Sequence, residues 1–305
     1  MSVSATVDSN SVTATAARPG QRIRVRFTAP VADFVGVGLS SNSINQTTYR
    51  DLIGSEGGNG SLVTSVATNT TQAVLLHPLT SGGAYTLLLE PQSAGSGSVT
   101  LWLSSPASAG ALSSSGRTGT ITRPGQQLEF TLNAQAGDGA SVMFSNTTLT
   151  GTTTIQLMSP GASDPDYLGI LSTSDVDLRA PLTAGTYRLL LQPSKPVTGT
   201  TTATLVPDLA AGALTVGGGN KSAAITTSGQ NARFTFSSTT GQNLTLGLGA
   251  TPPDAWYLSV YGPNGTWLVD ARYMSTTTTS FALPALPATG TYILTVDPAA
   301  QKTGT

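Results

Sequence analysis

Three stretches decide the fold: RPGQRIRVRF (Arg18–Phe27), RPGQQLEFTL (Arg123–Leu132) and TSGQNARFTF (Thr227–Phe236). In the first, Ile23, Val25 and Phe27 alternate with Arg22, Arg24 and Arg26. In the second, Leu128, Phe130 and Leu132 alternate in the same way, and in the third Ala232, Phe234 and Phe236. Strict period-two alternation over six or so residues is the mark of a strand with one buried face. The Gly-Gln pairs that open these strands, at Gly20, Gly125 and Gly229, are about 105 residues apart. One unit is therefore written three times.

Two further landmarks recur in the same order. GAYTLLLEP (Gly83–Pro91), GTYRLLLQP (Gly185–Pro193) and GTYILTVDP (Gly290–Pro298) are more continuously apolar and read as central strands, each ended by a proline that cannot donate to the ladder. After the first two come SGSVTLWLSSP (from Ser96) and TGTTTATLVPD (from Thr198), which read as closing strands. Glycine and proline punctuate the chain every 8–12 residues, and no stretch carries a helix-length period. The expectation is an all-β chain of three tandem jelly-roll-like antiparallel β-sandwich domains, at 1–105, 106–207 and 208–305.

Composition narrows the function. The 305 residues include no Cys, one His (His77) and 10% charged side chains, with a net charge of −1. A near-neutral chain lacks the basic field that nucleic acid or an anionic membrane requires. Without Cys there is neither a disulfide framework nor a thiolate metal site. No apolar run is long enough for a membrane-spanning helix, and membrane insertion is not expected. A surface of Ser, Thr and Gly suits an extracellular or cell-surface prokaryotic protein, its signal peptide removed and not visible in MSVSATVDSNSV.

The third unit also resembles a known family. Gly229-Gln230, the YLSVYGPNG stretch (Tyr257–Gly265) and the LPALPATGTYILTV stretch (Leu286–Val296, with its flanks) resemble the bacterial pre-peptidase C-terminal domain. The other units resemble it more weakly, the second through IQLMSPGA (Ile155–Ala162). The resemblance implies an eight- or nine-stranded sandwich and an accessory role. It brings no catalytic residues.

No acid, base and nucleophile set stands out, so no enzyme is expected. His77 lacks a partner of the kind a catalytic His needs. Asp164, Asp166, Asp175 and Asp177 crowd the second unit. They read either as a calcium site, the sole cofactor this sequence raises, or as solvated loop and strand faces. Tyr257, Tyr261, Trp267 and Tyr273 read as a sugar-stacking platform or as packing against a neighbour.

The sharpest functional clue is the third unit, which reaches Thr303–Thr305 with no closing strand. Such a gap leaves an apolar groove and unpaired backbone, which invites another strand. The groove is expected beside Tyr292, Leu294 and Val296. The alternation of Val3, Ala5 and Val7 in SVSATVDS makes Ser2–Val7 of another copy a candidate donor. Head-to-tail donation builds a filament unless it closes into a ring. Two readings compete. Ser2–Val7 reads also as the segment that precedes the first unit, with Val7 at the place of Leu112. The chain reads also as a glycan- or ligand-binding accessory or spacer module excised from a larger protein.

Overall fold

In the computed structural model, the described residues are 1–305 other than 31–33, 54–63, 67–70, 77–78, 80–81, 163–165, 172–174, 179–181 and 249–254. The chain is all-β. The first repeat holds β1 (Ser2–Ser4), β2 (Val12–Ala16), β3 (Ile23–Ala29), β4 (Val35–Asn42), β5 (Thr48–Ile53), β6 (Thr64–Val66), β7 (Gln72–Leu76), β8 (Gly83–Pro91) and β9 (Gly97–Ser104). The second holds β10 (Ala107–Ala111), β11 (Arg117–Ile121), β12 (Leu128–Ala134), β13 (Ala140–Ser145), β14 (Thr153–Met158), β15 (Asp166–Ile170), β16 (Asp175–Asp177), β17 (Gly185–Pro193) and β18 (Gly199–Pro207). The third holds β19 (Leu209–Leu214), β20 (Ala232–Ser238), β21 (Thr245–Gly247), β22 (Trp256–Tyr261), β23 (Trp267–Met274), β24 (Ser280–Ala282) and β25 (Gly290–Pro298).

Each repeat has a five-stranded sheet of one order: β1-β3-β8-β5-β6, β10-β12-β17-β14-β15 and β19-β20-β25-β22-β23. The first strand runs parallel to its neighbour and the rest are antiparallel. The first two repeats add a four-stranded sheet, β2-β9-β4-β7 and β11-β18-β13-β16, with the closing strand inside it. Inward residues of both sheets form a separate apolar cluster in each repeat. The alternation behind this is literal in β3, where Ile23, Val25 and Phe27 are buried and Arg24 and Arg26 exposed. Arg22, on the same outward row, pairs with Glu90.

The Gly-Thr-Tyr motif has two physical reasons. Its glycine has φ of 143° at Gly185 and 150° at Gly290, where a Cβ would lie 2.6 Å and 2.7 Å from the ring carbons of Pro160 and Pro263. Its tyrosine ring is buried, and the hydroxyl is tied to backbone four residues upstream. The Thr183 N–H donates to Tyr187 Oη at 2.9 Å, and Tyr292 Oη donates to the Ala288 carbonyl at 2.7 Å. The motif thus fixes both the entry to the central strand and its depth in the core.

Consecutive repeats are joined by the Gly-Gln turn. Gln126 Nε2 donates to the Ser105 carbonyl at 3.1 Å, and Gln230 Nε2 to the Pro207 carbonyl at 3.1 Å. Both carbonyls stand at the end of the preceding closing strand. At the first joint the turn lies on the outer face of β4, where a Cβ on Gly36 would sit 1.9 Å from the Gly125 carbonyl oxygen. Arg123 completes this joint. It donates to the Ser9 carbonyl and to Ser104 Oγ, and its guanidinium lies 5.4 Å from the Trp102 ring centroid. Arg123→Ala is expected to lower stability by about 1–3 kcal/mol, read by chemical denaturation, because it removes charged hydrogen bonds and a cation–π contact together.

The second joint uses polar side chains instead. Asn231 Nδ2 donates to Asp177 Oδ1 at 2.9 Å, and Ser141 Oγ donates to the same oxygen at 3.1 Å. Asp208 is half-buried beside them, with both carboxylate oxygens shut off from solvent. Burial pushes its carboxyl up from 3.8 to about 7; the Arg233 charge and the Asn231 amide oppose the shift, while Asp177 and Asp138 add to it. The fold therefore prefers the neutral acid. This contribution is fully present below the unfolded value and lost as pH rises through about 7. Asp208→Asn is expected to stabilise the chain at pH 8 by on the order of 2–4 kcal/mol and to leave it nearly unchanged at pH 3.5, measured by denaturation at each pH.

Candidate functional site: an open strand position in the third repeat

In the second repeat β18 lies between β11 and β13. Ile121 pairs with Gly199 at its start, and Val142 with Leu205 further along. The third repeat has the same neighbours. Ile225 pairs with Gly304, as Ile121 does with Gly199. Strand β21 pairs with β24 on one edge, Leu246 opposite Phe281. Among the described residues no strand lies on its other edge. The result is a groove of about 550 Å³. Its walls are Ala223 and Ile225 on one side and Leu244, Leu246 and Leu248 on the other, with Phe234, Trp256, Leu294 and Val296 among the lining residues.

The groove leaves its mark on burial. Val142 and Phe144 of β13 are 0% and 5% exposed. Their counterparts Leu246 and Leu248 are half-buried, as is Ala223. Trp256 stands where the other repeats carry Thr48 and Thr153. It is 4% exposed, and its indole N–H has no partner among the described residues. The apolar residues are thus in place for a closing strand, and the backbone edge of β21 is unpaired on the groove side.

The predicted acceptor residues are only partly at the groove. Leu294 and Val296 line it, but Tyr292 is fully buried. Strand β25 is paired on both edges, to β20 and β22, so it forms the opposing wall and the open edge belongs to β21. The alternation of Leu244, Leu246 and Leu248 in NLTLGLG was the sequence signal for that edge.

The predicted donor residues sit in the first repeat. Ser2–Ser4 forms β1, paired in parallel with β3, Val3 opposite Val25. The Arg24 N–H donates to the Met1 carbonyl, and the Ala5 N–H to the Arg26 carbonyl, both at 2.8 Å. Val3, Ala5 and Val7 are partly buried against the first core. Strand β1 therefore takes the place of β10 and β19. The hydrogen bond of Ala5 corresponds to that of Leu112 with Thr131, so Ala5, rather than Val7, stands at the place of Leu112.

The aromatic residues divide. Tyr257, Trp267 and Tyr273 are exposed, and Tyr257 meets Tyr273 edge-on with centroids 5.8 Å apart. Tyr261, opposite Ile293 in the regular ladder with β25, keeps the outward side of Tyr257 but is only 7% exposed; it leans on Trp267, and burial raises its hydroxyl pKa. An open platform of four rings is not formed. Of the aspartates, Asp164 lies outside the described residues and the side chain of Asp175 is not described. Asp166 begins an edge strand of the five-stranded sheet, whereas Asp177 belongs to the facing sheet and is engaged at the second joint. Among the described residues no cluster is suited to a metal ion. His77 lies outside the described residues, and no described helix is long and apolar enough to cross a membrane.

No protein-family model matches the sequence, and no curated protein matches it. Solved structures show distant likenesses. The CUB1-EGF-CUB2 portion of rat MASP-1 is 8% identical with a TM-score of 0.22, over 67% of this chain and all of that one. An archaeal virus protein with a triple jelly roll fold and turret assembly is 9% identical with a TM-score of 0.24, over 95% and 88%. Tripeptidyl peptidase 2 is 13% identical with a TM-score of 0.24, over 98% of this chain and 27% of that one. Likenesses at this level carry no argument about function.

Proposed function

We propose that the chain is a structural, non-enzymatic subunit of an extracellular prokaryotic surface filament. It is built from three tandem jelly-roll-like β-sandwiches, each organised like the pre-peptidase C-terminal domain that the third resembles. Copies join head to tail when the N-terminal strand of one enters the open strand position of the third sandwich of the next. The observation that carries this reading is the groove between Ile225 and β21, at the place where the first two repeats hold β9 and β18.

The donor pattern fits the vacancy. Thr201, Ala203 and Leu205 are the inward residues of β18, and Val3, Ala5 and Val7 have the same spacing. In that register Val3 faces the Ala223 wall, Val7 lies opposite Leu246, and Met1 and Ser2 of the donor displace the acceptor's Gly304 and Thr305 from beside Ile225. Strand β1 is a three-residue edge strand paired on one side, whereas the groove offers a partner on both. Exchange thus replaces one ladder by two, and half-buried positions of Val3 and Val7 by fully enclosed ones. The joint change Val3→Asp with Val7→Asp tests the donor. Sedimentation is expected to show concentration-dependent oligomers for the unaltered chain and monomers for the variant. Equal assembly of the two, or a chain monomeric at every concentration, would overturn the reading.

A further inference from the structure

A single residue, Asp208, separates the last strand of the second repeat, β18, from the first strand of the third, β19. Its N–H donates to the Gly139 carbonyl of the second repeat at 3.0 Å, and the next N–H, that of Leu209, to the Asn231 carbonyl of the third at 2.7 Å. By strand register Asp208 stands at the place of Pro106 in the first joint. There a proline ring restricts the backbone, and the joint is closely packed. The Pro124–Gly125 turn lies against Gly36 and Gly38, and Phe34 is buried on Met158, Leu190 and the Arg188 guanidinium. At the second joint Ser141 and Met143 stand in place of the two glycines, and Gly139 in place of Phe34. A cleft of about 390 Å³ lies at this joint, between Gly137 of the second repeat and Ala210, Arg233 and Ile293 of the third.

The groups that act on the enclosed Asp208 carboxyl come from both repeats. Asp177 of β16 and Asp138 of the turn before β13 belong to the second, and Arg233 and Asn231 to the third. The Tyr261 hydroxyl of β22 lies within range of the same charge and stays protonated, its pKa raised by burial. The Asn231 amide already donates to Asp177 at 2.9 Å. An ionised Asp208 therefore loses water first of all and adds to the negative charge of Asp177 and Asp138, which outweighs the Arg233 attraction. We propose that Asp208 is a proton-controlled hinge: with its carboxyl neutral the second joint is closed, and with its carboxyl ionised Asp208 releases Gly139 and the third repeat swings away, so that water enters through the cleft. The swing carries Asp208 and Arg233 together away from Asp177 and Asp138. The first joint, with Pro106 and Phe34 at the same places, does not respond. The hinge is independent of how copies of the chain join.

Residue-resolved hydrogen exchange on the full chain, corrected for intrinsic rates, reads the opening at the Asp208 amide. Two amides serve as references. Leu209 is bonded within the third repeat, and Ala107 to the Gln127 carbonyl at the first joint. A carboxyl held at about 7 when closed and returned to 3.8 when open makes the opening constant climb between those values and level off above the higher. The expected rise at Asp208 from pH 4 to pH 7.5 is at least about a hundredfold, with Leu209 and Ala107 unchanged. Asp208→Asn is expected to abolish the rise. Arg233→Gln is expected to move the levelling point to higher pH and Asp138→Asn to lower pH, because the first removes an attraction for the ionised form and the second a repulsion. Any of four results would overturn the hinge: a flat profile at Asp208, an equal rise at all three amides, a rise that persists in Asp208→Asn, or charge variants that do not shift the levelling point in opposite directions. The second of these would mean that the whole chain loosens and no joint opens by itself.

Discussion

Leu246→Asp is expected to abolish self-association while leaving a folded monomer. Leu246 is half-buried on the unpaired edge of β21, so in the monomer its carboxylate can reach water through the groove. Once a strand lies across it, the same carboxylate would lose its water, enclosed by Val7 of the donor and the core beneath. Burying an unpaired charge costs several kcal/mol, and each 1.4 kcal/mol is about tenfold in affinity. A loss of at least roughly a hundredfold in association is therefore expected by sedimentation. The same substitution at the corresponding Val142, which is 0% exposed beneath β18, is expected to unfold the second repeat instead. The contrast between the two sites isolates the vacancy. If Leu246→Asp assembles normally, the groove is not the joining site.

Gly36→Ala is expected to be strongly destabilising. The added carbon would fall 1.9 Å from the carbonyl oxygen of Gly125 and 3.0 Å from its carbon. Both are backbone atoms of a turn pinned by Gln126 and Arg123, so neither can swing aside. The first two repeats must separate, and Arg123, Gln126 and the Phe34–Arg188 contact lose their partners together. Overpacking of this kind typically costs about 1–3 kcal/mol, and loss of the joint adds to it. Calorimetry is expected to show the first repeat unfolding as a separate, earlier transition. Gly247→Ala, which meets no neighbour, is expected to leave unfolding unchanged. A single unshifted transition for Gly36→Ala would mean that the repeats are not coupled through this turn.

Much of the fold could be read in the sequence because its signals are local. Alternation in β3, β12 and β20, the Gly-Thr-Tyr entries and the closing prolines each report what a strand does to its own residues. The place of the closing strand was legible for the same reason, since the alternation of β9 and β18 is written out after the Tyr85 and Tyr187 strands. What failed to show was pairing. Tyr292, Leu294 and Val296 looked like the groove because they precede the gap in sequence. The gap lies in the opposite sheet, and only the register of β21 with β24 reveals which edge is open. Tyr261 lies on the outward side that period-two counting gives it, but is covered there, and such counting says nothing of the ring of Trp267 that lies against it. Ser2–Val7 carried a pattern that fits two places, its own sheet and a neighbour's groove. Hydrogen bonding of Ala5 to Arg26 shows which place it holds in the single chain. The joints were invisible as joints, because a Gly-Gln turn announces a strand start and says nothing of the carbonyl its glutamine will find one repeat away.

Electron microscopy of the concentrated chain, carried to a resolution that shows strands, tests the central claim most directly. The account predicts filaments whose repeat is one chain, with an extended segment lying between Ile225 and Thr245–Gly247 and continuing into the first repeat of the neighbouring copy. Single chains at high concentration, with Ser2–Ser4 still paired to β3 and the groove empty, would contradict it.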